Sequence, residues 1–297
     1  MKKYVAVLLL FLAACSKPKP AIVYQTDFGL KDGAVSAMKG VAHQVDASIP
    51  LYDLTHEIPA YNIWEAAYRL NQTVVYWPKG TVFVSVVDPG VGTTRKPVVL
   101  KTGSGHYIVS PDNGTLTLIA ETLGIEGLRE IDTIHNRRPG SEGSHTFHGR
   151  DIFSYTAARL ASGIISFDEV GKELRKKVIV IPYQRALIAG DSIKGNIPVL
   201  DVQYGNVWSN ISDSLIGLAG INYGDSLDVM ISNNARQVFS GRVPFVRTFG
   251  SVPDQHLLGY MNSLGNFSLA INMGNFADSF KVASGAEWSI SLKKFGK

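Results

Sequence analysis

The chain has 297 residues, 45% hydrophobic and 18% charged, which is globular material long enough for two domains with separate cores. Its 29 Lys and Arg against 25 Asp and Glu leave a net charge of +4, with no basic stripe interleaved with aromatics, so nucleic acid is not an expected partner. Cys15 is the only cysteine, so no disulfide can form within the chain, and no internal repeat or low-complexity tract interrupts it.

The N-terminus reads as an export signal. Lys2 and Lys3 precede an apolar run over residues 4–14, too short to span a bilayer and suited to a signal-peptide core. The run closes on Leu12-Ala13-Ala14-Cys15, which resembles a bacterial lipoprotein signal, in which cleavage leaves the cysteine as a lipidated N-terminus. An ordinary signal peptide with a chance cysteine is the alternative. Residues 1–15 are therefore expected to be the signal and 16–20 a short extended tether. The expected location is the periplasmic side of a membrane, lipid-anchored at Cys15, with Ser16 favouring the outer membrane of a Gram-negative cell.

Residues 21–25 predict a short strand that ends at Thr26-Asp27-Phe28-Gly29, and a helical pattern follows Asp32 through Ala34, Met38 and Val41. An acid at a strand end before a helix can cap that helix, or it can accept both hydroxyls of a ribose, as acids do in nucleotide sites. Asp-Phe-Gly also occurs in kinases, but no kinase catalytic loop or Gly-rich phosphate loop accompanies it here. Residues 50–55 predict a second strand and 61–73 a helix.

A β-branched run (Val82, Val84, Val86, Val87) then stops at Asp88, within VVDPGVGTTR, residues 86–95. This reads as a buried strand that places Asp88 at its carboxyl end, where open α/β sheets bind ligands. The tight loop that follows can fold Arg95 back towards the acid, although Asp-Pro-Gly also suits a plain turn. Residues 98–100 and 107–110 predict further strands, the second ending in Pro111-Asp112-Asn113-Gly114, and 116–123 a short helix. This alternation predicts an α/β domain over residues 21–183, with a mainly parallel sheet covered on both faces.

His145 and His148 lie three apart in SHTFHGR, a spacing zinc sites use, but no second histidine pair or cysteine cluster stands nearby and no metal is expected. His148 precedes a helix predicted over 152–162, which suits general-base or orienting work. Alternatively it only caps or packs, with Arg150 and Asp151 forming a surface ion pair. Residues 178–181 predict a short strand and 184–194 a linker. Beyond it, strands are expected at 195–203, 206–211, 226–231, 237–246 and 269–272, separated by Gly, Asn and Asp turns. That spacing suggests a smaller antiparallel, barrel-like β domain over 195–297.

Six segments together carry a family resemblance: TDFGLKD (26–32), VVDPGVGTTR (86–95), SPDNG (110–114), TFHGRD (146–151), YGNVWSNI (204–211) and NSLGNFSLAIN (262–272). They resemble the S-adenosylmethionine hydrolases, or SAM hydroxide adenosyltransferases, relatives of the bacterial fluorinase and chlorinase. The likeness runs in order from Ala21 to the end. It implies an α/β N-terminal domain, a β-barrel-like C-terminal domain, and a homotrimer with each active site between subunits. The implied reaction is attack of a water-derived hydroxide on C5′ of S-adenosylmethionine, giving adenosine and L-methionine, with no cofactor.

The resemblance also implies roles. Asp88, Arg95 and His148 would form the catalytic triad, and Asp27 would hold the ribose hydroxyls. Tyr61 would stand by the sugar or base, and Asp32 and Asn113 would lie at the substrate. Asp201, Tyr204, Asn206 and Ser263 would contact methionine and adenine, and backbone near Ile271–Met273 would meet the adenine edge. Tyr204 replaces a common phenylalanine and Ala34 a common tyrosine. The chemistry is consistent: a sulfonium leaves unaided, and the difficulty is to align a desolvated oxygen nucleophile. Asp88 and His148 could each accept a water proton, with Arg95 easing negative charge nearby. Family members that use halide lack the triad, so its presence favours hydrolysis over halogenation. An exported nucleoside-binding protein without turnover is the other alternative.

Overall fold

The computed structural model describes residues 18–296. Cys15, the signal segment and the start of the tether lie outside the described residues.

Six short strands build the first sheet: β1 (Ile22–Thr26), β2 (Leu51–Thr55), β3 (Val82–Val86), β4 (Pro97–Thr102), β5 (Tyr107–Pro111) and β6 (Ile125–Glu130). Their order is β2-β1-β3-β5-β4-β6. The four strands β2, β1, β3 and β5 run parallel, whereas β4 pairs antiparallel with both β5 and β6. The sheet is thus mixed. The connection between β4 and β5 is too short for a parallel crossover, so the two must form a hairpin.

Strand alternation divides the side chains between two cores. Ile22, Tyr24, Val84 and Val86 pack with Met38 and Ala42 of helix α1 (Ala34–Val45) and with Ala157 and Ala158 of α4 (Tyr155–Ser162). On the other face, Val23, Phe83 and Ile108 meet Leu70 and Val74 of α2 (Ile63–Val74) and Ile119 of α3 (Thr117–Thr122). α2 starts two residues later than its pattern predicts, because Asn62 caps it by accepting the Glu65 N–H at 2.9 Å.

Residues 178–181 form no strand. They run extended, with the Ile179 and Ile181 N–H groups donating to Asp112 Oδ1 and Thr117 Oγ1 instead of to a neighbouring strand. The stretch expected to be linker holds β7 (Leu187–Ala189) and the start of β8 (Ser192–Asn196), which pair as a hairpin.

The C-terminal part contains β9 (Val199–Asp201), β10 (Asn206–Ser212), β11 (Ser226–Asn233), β12 (Arg236–Pro244), β13 (Leu257–Met261), β14 (Asn266–Ile271) and β15 (Trp288–Lys294). The expected single strand over 195–203 is split at Pro198, which has no N–H to give a ladder. The strands form two open sheets, β13-β14-β10-β9 and β12-β11-β15-β8-β7, and not a closed barrel. Phe239, Phe245, Phe267, Phe276 and Trp288 fill a core shared by strands of both. A seam joins the two halves, where Trp64 Nε1 donates to Pro198 O at 3.0 Å and Arg69 Nη2 to Leu200 O at 3.1 Å.

Candidate active site

The loop after β3 is built to return on itself. Val91 N–H donates to Asp88 O and Thr93 N–H to Gly90 O, each at 3.1 Å, and these successive turns bring Arg95 back beside Asp88. A Cβ on Gly90 would lie 3.3 Å from Thr93 Oγ1 and 3.4 Å from Arg95 Cγ, so a larger residue there would push against the returning side chains. The end of β5 fixes it from behind. Asn113 Nδ2 donates to Val87 O and Asp112 N–H to Lys96 O, both at 2.9 Å, so one segment holds the residue before the acid and the residue after the arginine.

Arg95 is the centre of the cluster. Its Nε donates to both Asp88 carboxylate oxygens at 3.0 and 2.9 Å, and its Nη2 donates to Oδ2 as well. Nη2 also lies 2.9 Å from His148 Nδ1. Side-chain exposure is only 9% for Arg95 and 5% for Asp88, and the guanidinium carbon sits 5.3 Å above the Phe153 ring. Such a pair is far less screened than a surface salt bridge.

His148 is set by an unusual turn. The helix expected from residue 152 begins earlier as a π-turn over Gly149–Ser154, which continues into α4. π-turns of this kind occur mostly as isolated irregularities near functional groups. A Cβ on Gly149 would come within 3.2 Å of Phe28 Cε2 and 3.4 Å of Met38 Sδ, so glycine permits the close packing that seats His148. Asp151 is fully buried and held by Arg150 Nε at 2.7 Å, so the expected surface ion pair is instead a buried carboxylate with a half-buried partner.

The ring of His148 has an assignable tautomer. A guanidinium only donates hydrogen bonds, so Nδ1, which faces Arg95, carries the lone pair and Nε2 carries the proton. Nε2 is buried and has no hydrogen-bond partner among the described residues. Burial first, and then the charge of Arg95, holds the imidazole below its ordinary range, which favours this neutral form. Of the Asp88 oxygens, Oδ1 takes a single bond from Arg95 and keeps room for another donor.

The remaining expected residues fall into two groups. In the N-terminal half, Asp27 Oδ2 accepts the Tyr61 N–H at 2.9 Å, and Tyr61 has φ 68° and is 72% exposed. A tyrosine held in the left-handed region and out in solvent is strained without any packing reward. Asp32 Oδ1 accepts the Ala34 N–H at 2.9 Å at the start of α1. It also lines a cavity of about 630 Å³ with Phe28, Ala34 and Phe147. Asn113 serves as a strut: Nδ2 holds Val87 O, and Oδ1 accepts from Thr115 N and Oγ1.

In the C-terminal half, Asp201, Tyr204, Asn206, Ser263 and Met273 line one cavity of about 940 Å³, together with Trp208, Arg247, Phe249 and Tyr260. Asn206 Nδ2 donates to Asp201 Oδ2 at 3.2 Å, and Gln255 Nε2 holds the Met273 carbonyl at 2.6 Å. Asp88, Arg95 and His148 do not line this cavity. Trp208 escaped the sequence reading although it stands two residues after Asn206 in YGNVWSNI, and Arg247 carried no signal at all. Among the described residues no group of three or more His, Cys, Asp or Glu side chains is placed to hold a metal ion.

Residues 22–171 match the SAM hydroxide adenosyltransferase N-terminal domain family, and residues 195–289 match its C-terminal domain family. The chain is 36% identical over 272 residues to an (R)-S-adenosyl-L-methionine hydrolase of Salinispora tropica, covering 90% of this chain and 96% of that one. A fluorinase of Actinopolyspora mzabensis is 27% identical, with 91% and 96% covered. Among solved structures, an uncharacterised conserved protein from Thermotoga maritima superposes with TM-score 0.82 at 32% identity, covering 92% of this chain and 99% of that one.

Proposed function

Since the chain belongs to the SAM hydroxide adenosyltransferase family, we propose that it hydrolyses S-adenosylmethionine to adenosine and L-methionine. One observation carries the reading: the continuous chain Asp88–Arg95–His148, which ends on a buried, unpartnered Nε2. A buried N–H with nothing to donate to is costly unless an oxygen arrives to receive it. In this reading the arriving oxygen is the nucleophile.

The tautomer divides the labour within the triad. His148 Nε2–H donates to the attacking oxygen and orients it, and the ring is not the proton acceptor. Asp88 Oδ1 has the free lone pair and takes the proton as the oxygen attacks C5′ and the C5′–S bond breaks, its electron pair returning to sulfur. Arg95 holds both partners in place and offsets the negative charge. Removal of base assistance typically costs ~10²–10⁴ in rate. A halide nucleophile has no proton to give up, so this arrangement favours water over the fluorinase type of chemistry.

The substrate would lie across two copies of the chain. Asp27, Tyr61 and the triad present one wall, and the cavity around Asp201, Tyr204, Asn206, Ser263 and Met273 presents the other. A homotrimer with intersubunit sites, as the family resemblance implies, is part of this reading, and size-exclusion with light scattering tests it. Lipidation at Cys15, with anchoring on the periplasmic side of the outer membrane, belongs to the same proposal. Intact-mass measurement of membrane-extracted protein tests it: a diacylated or triacylated Cys15 N-terminus supports it, and an unmodified chain overturns it.

The activity test is direct. Incubation with S-adenosylmethionine should release adenosine and methionine in equal amounts, and Asp88→Ala should abolish the release. Tight adenosine binding with no release would point instead to a nucleoside-binding protein, and chloride-dependent 5′-chloro-5′-deoxyadenosine to a halogenase.

A further inference from the structure

The loop that carries Asp27 is braced from one side by residues 55–61, and His56 sits at the crossing. Its ring Nδ1 lies 2.8 Å from Thr26 Oγ1, on the residue before Asp27. Its backbone carbonyl accepts the Gly29 N–H at 2.8 Å, two residues after Asp27. Tyr61, five residues on, donates its N–H to the Asp27 carboxylate itself. Asp27 and Phe28 are therefore suspended between two bonds from one histidine.

The bonding runs further in both directions. His56 Nε2 lies 2.8 Å from Asp53 Oδ1, and Asp53 Oδ2 accepts from Lys39 Nζ at 2.6 Å. Asp53 accepts only, so Nε2 carries the ring proton and Nδ1 receives the hydroxyl of Thr26. That hydroxyl oxygen in turn receives the Phe28 N–H at 3.2 Å. From His56 to Phe28 each donor has its acceptor, and both His56 and Thr26 are buried, at 3% and 0% exposure, whereas Lys39 and Asp53 reach the solvent. Buried polar networks of this kind fix a single geometry when fully satisfied. Phe28 also meets the Phe147 ring edge-on at 5.9 Å, beside His148, so the brace reaches the wall of the reaction centre.

We infer that His56 is a positioning residue, which, through Thr26, holds the Asp27 carboxylate in the orientation that receives the ribose hydroxyls. This deepens the proposed hydrolase reading and rests on Asp27 as the ribose acceptor. It acts on recognition of the sugar, not on the nucleophile, so it separates from the triad in kinetics. Loss of the brace should weaken substrate binding and discrimination at the 2′-hydroxyl while leaving the chemical step at saturation nearly intact.

Two variants in the full chain test this. His56→Phe keeps the ring volume without nitrogens, and Thr26→Val keeps the shape of β1 without the hydroxyl. Binding of adenosine and 2′-deoxyadenosine is measured by calorimetry, alongside kcat and KM for S-adenosylmethionine. The intact protein should prefer adenosine by ~10-fold or more, as expected where a site hydrogen-bonds a ligand hydroxyl. In either variant that preference should fall towards one and KM rise ~10-fold, with kcat changed less than ~3-fold. Thr26→Ser, which keeps the hydroxyl, should retain the preference. A folded Thr26→Val with unchanged preference overturns the brace while leaving the hydrolase reading standing. An intact protein that binds adenosine and 2′-deoxyadenosine equally overturns the ribose role of Asp27, and the brace with it.

Discussion

At the carboxyl ends of β3 and β5 the charged side chains are buried and bonded to one another, whereas in the C-terminal cavity the side chains that would meet a substrate stand open. Asp88 and Arg95 are nearly sealed, but Tyr204 is 64% exposed and Met273 76%. The first region is organised before any ligand arrives, with Arg95 fixed by its partners and by Phe153. The second has walls but no lid. A reaction centre must be rigid to align an attacking oxygen, while a substrate bed can be completed by another surface. The proposed site between copies would join the rigid centre of one chain to the open bed of its neighbour.

The largest effect comes from removing the chemistry and sparing the bed. Asp88→Ala should lower kcat by ~10³ or more, within the range general-base help commands, while adenosine affinity by calorimetry stays within ~3-fold. Equal losses in both quantities would mean that Asp88 supports the fold of the loop and not the reaction. Mixing asks the reverse question. Asp88→Ala protein, which lacks turnover, and Tyr204→Ala protein, assayed well below its raised KM, should release more adenosine when unfolded and refolded together than either does alone, because some mixed sites then pair an intact triad with an intact bed. No recovery would place both walls of the site on one chain.

A smaller effect isolates geometry. Arg95→Lys keeps the charge but replaces a planar fork by a point donor that cannot hold Asp88 and His148 together. Turnover should drop ~10²-fold with KM nearly unchanged, since misplaced catalytic groups lose rate before binding. In the C-terminal cavity, by contrast, Asn206→Ala should raise KM more than it lowers kcat.

The two regions were also unequally legible in the sequence. The return of Arg95 towards Asp88 was legible in the glycines between them and the buried strand in the valines before them, although those residues alone suited a plain turn as well. His148 came from its motif. The cavity residues came only from motif resemblance, since Asp201 ends β9, Asn206 begins β10 and Ser263 sits in the turn between β13 and β14, and no local pattern connects them. Trp288, Ile290 and Leu292 alternate inward along β15, yet the strand was passed over among the charged residues at its end. Residues 178–181 look like a strand by composition, but their N–H groups are claimed by Asp112 and Thr117, partners more than sixty positions away. His56 was invisible for the same reason: a lone histidine at a strand end discloses nothing until Thr26 and Asp53 are seen on either side of its ring.

The pH dependence sharpens the comparison further, because the buried region holds a histidine whose surroundings lower its proton affinity. Burial and Arg95 lower the affinity of His148 for a proton, so the neutral ring persists below the ordinary histidine value of about 6.5. A second proton on Nδ1 would face the guanidinium and break the 2.9 Å bond. The acid limb of kcat/KM should therefore fall below pH ~6.5, with activity flat from there towards neutrality. The sign for stability is the same. Below the unfolded value the unfolded chain binds a proton that the folded chain resists, so acid favours unfolding. A limb above pH 7 would show that the ring gains protons on folding and would invert the tautomer assigned to it.

The smallest expected effect lies at the start of α2. Asn62 caps α2 through Glu65 N–H and directly follows the strained Tyr61, whose own N–H is tied to Asp27. Asn62→Ala should cost about 1 kcal/mol, a typical cap value, and lower the melting temperature by ~2–4 °C in a chain of this size. Because Tyr61 is held at Asp27 as well as at the helix start, its backbone should stay in place and KM should change less than ~2-fold, well short of a tenfold change that corresponds to about 1.4 kcal/mol. A tenfold rise in KM at that small stability cost would mean that the cap, and not the Asp27 carboxylate, sets the aromatic beside the sugar, and the substrate bed would then begin one residue later than the present geometry places it.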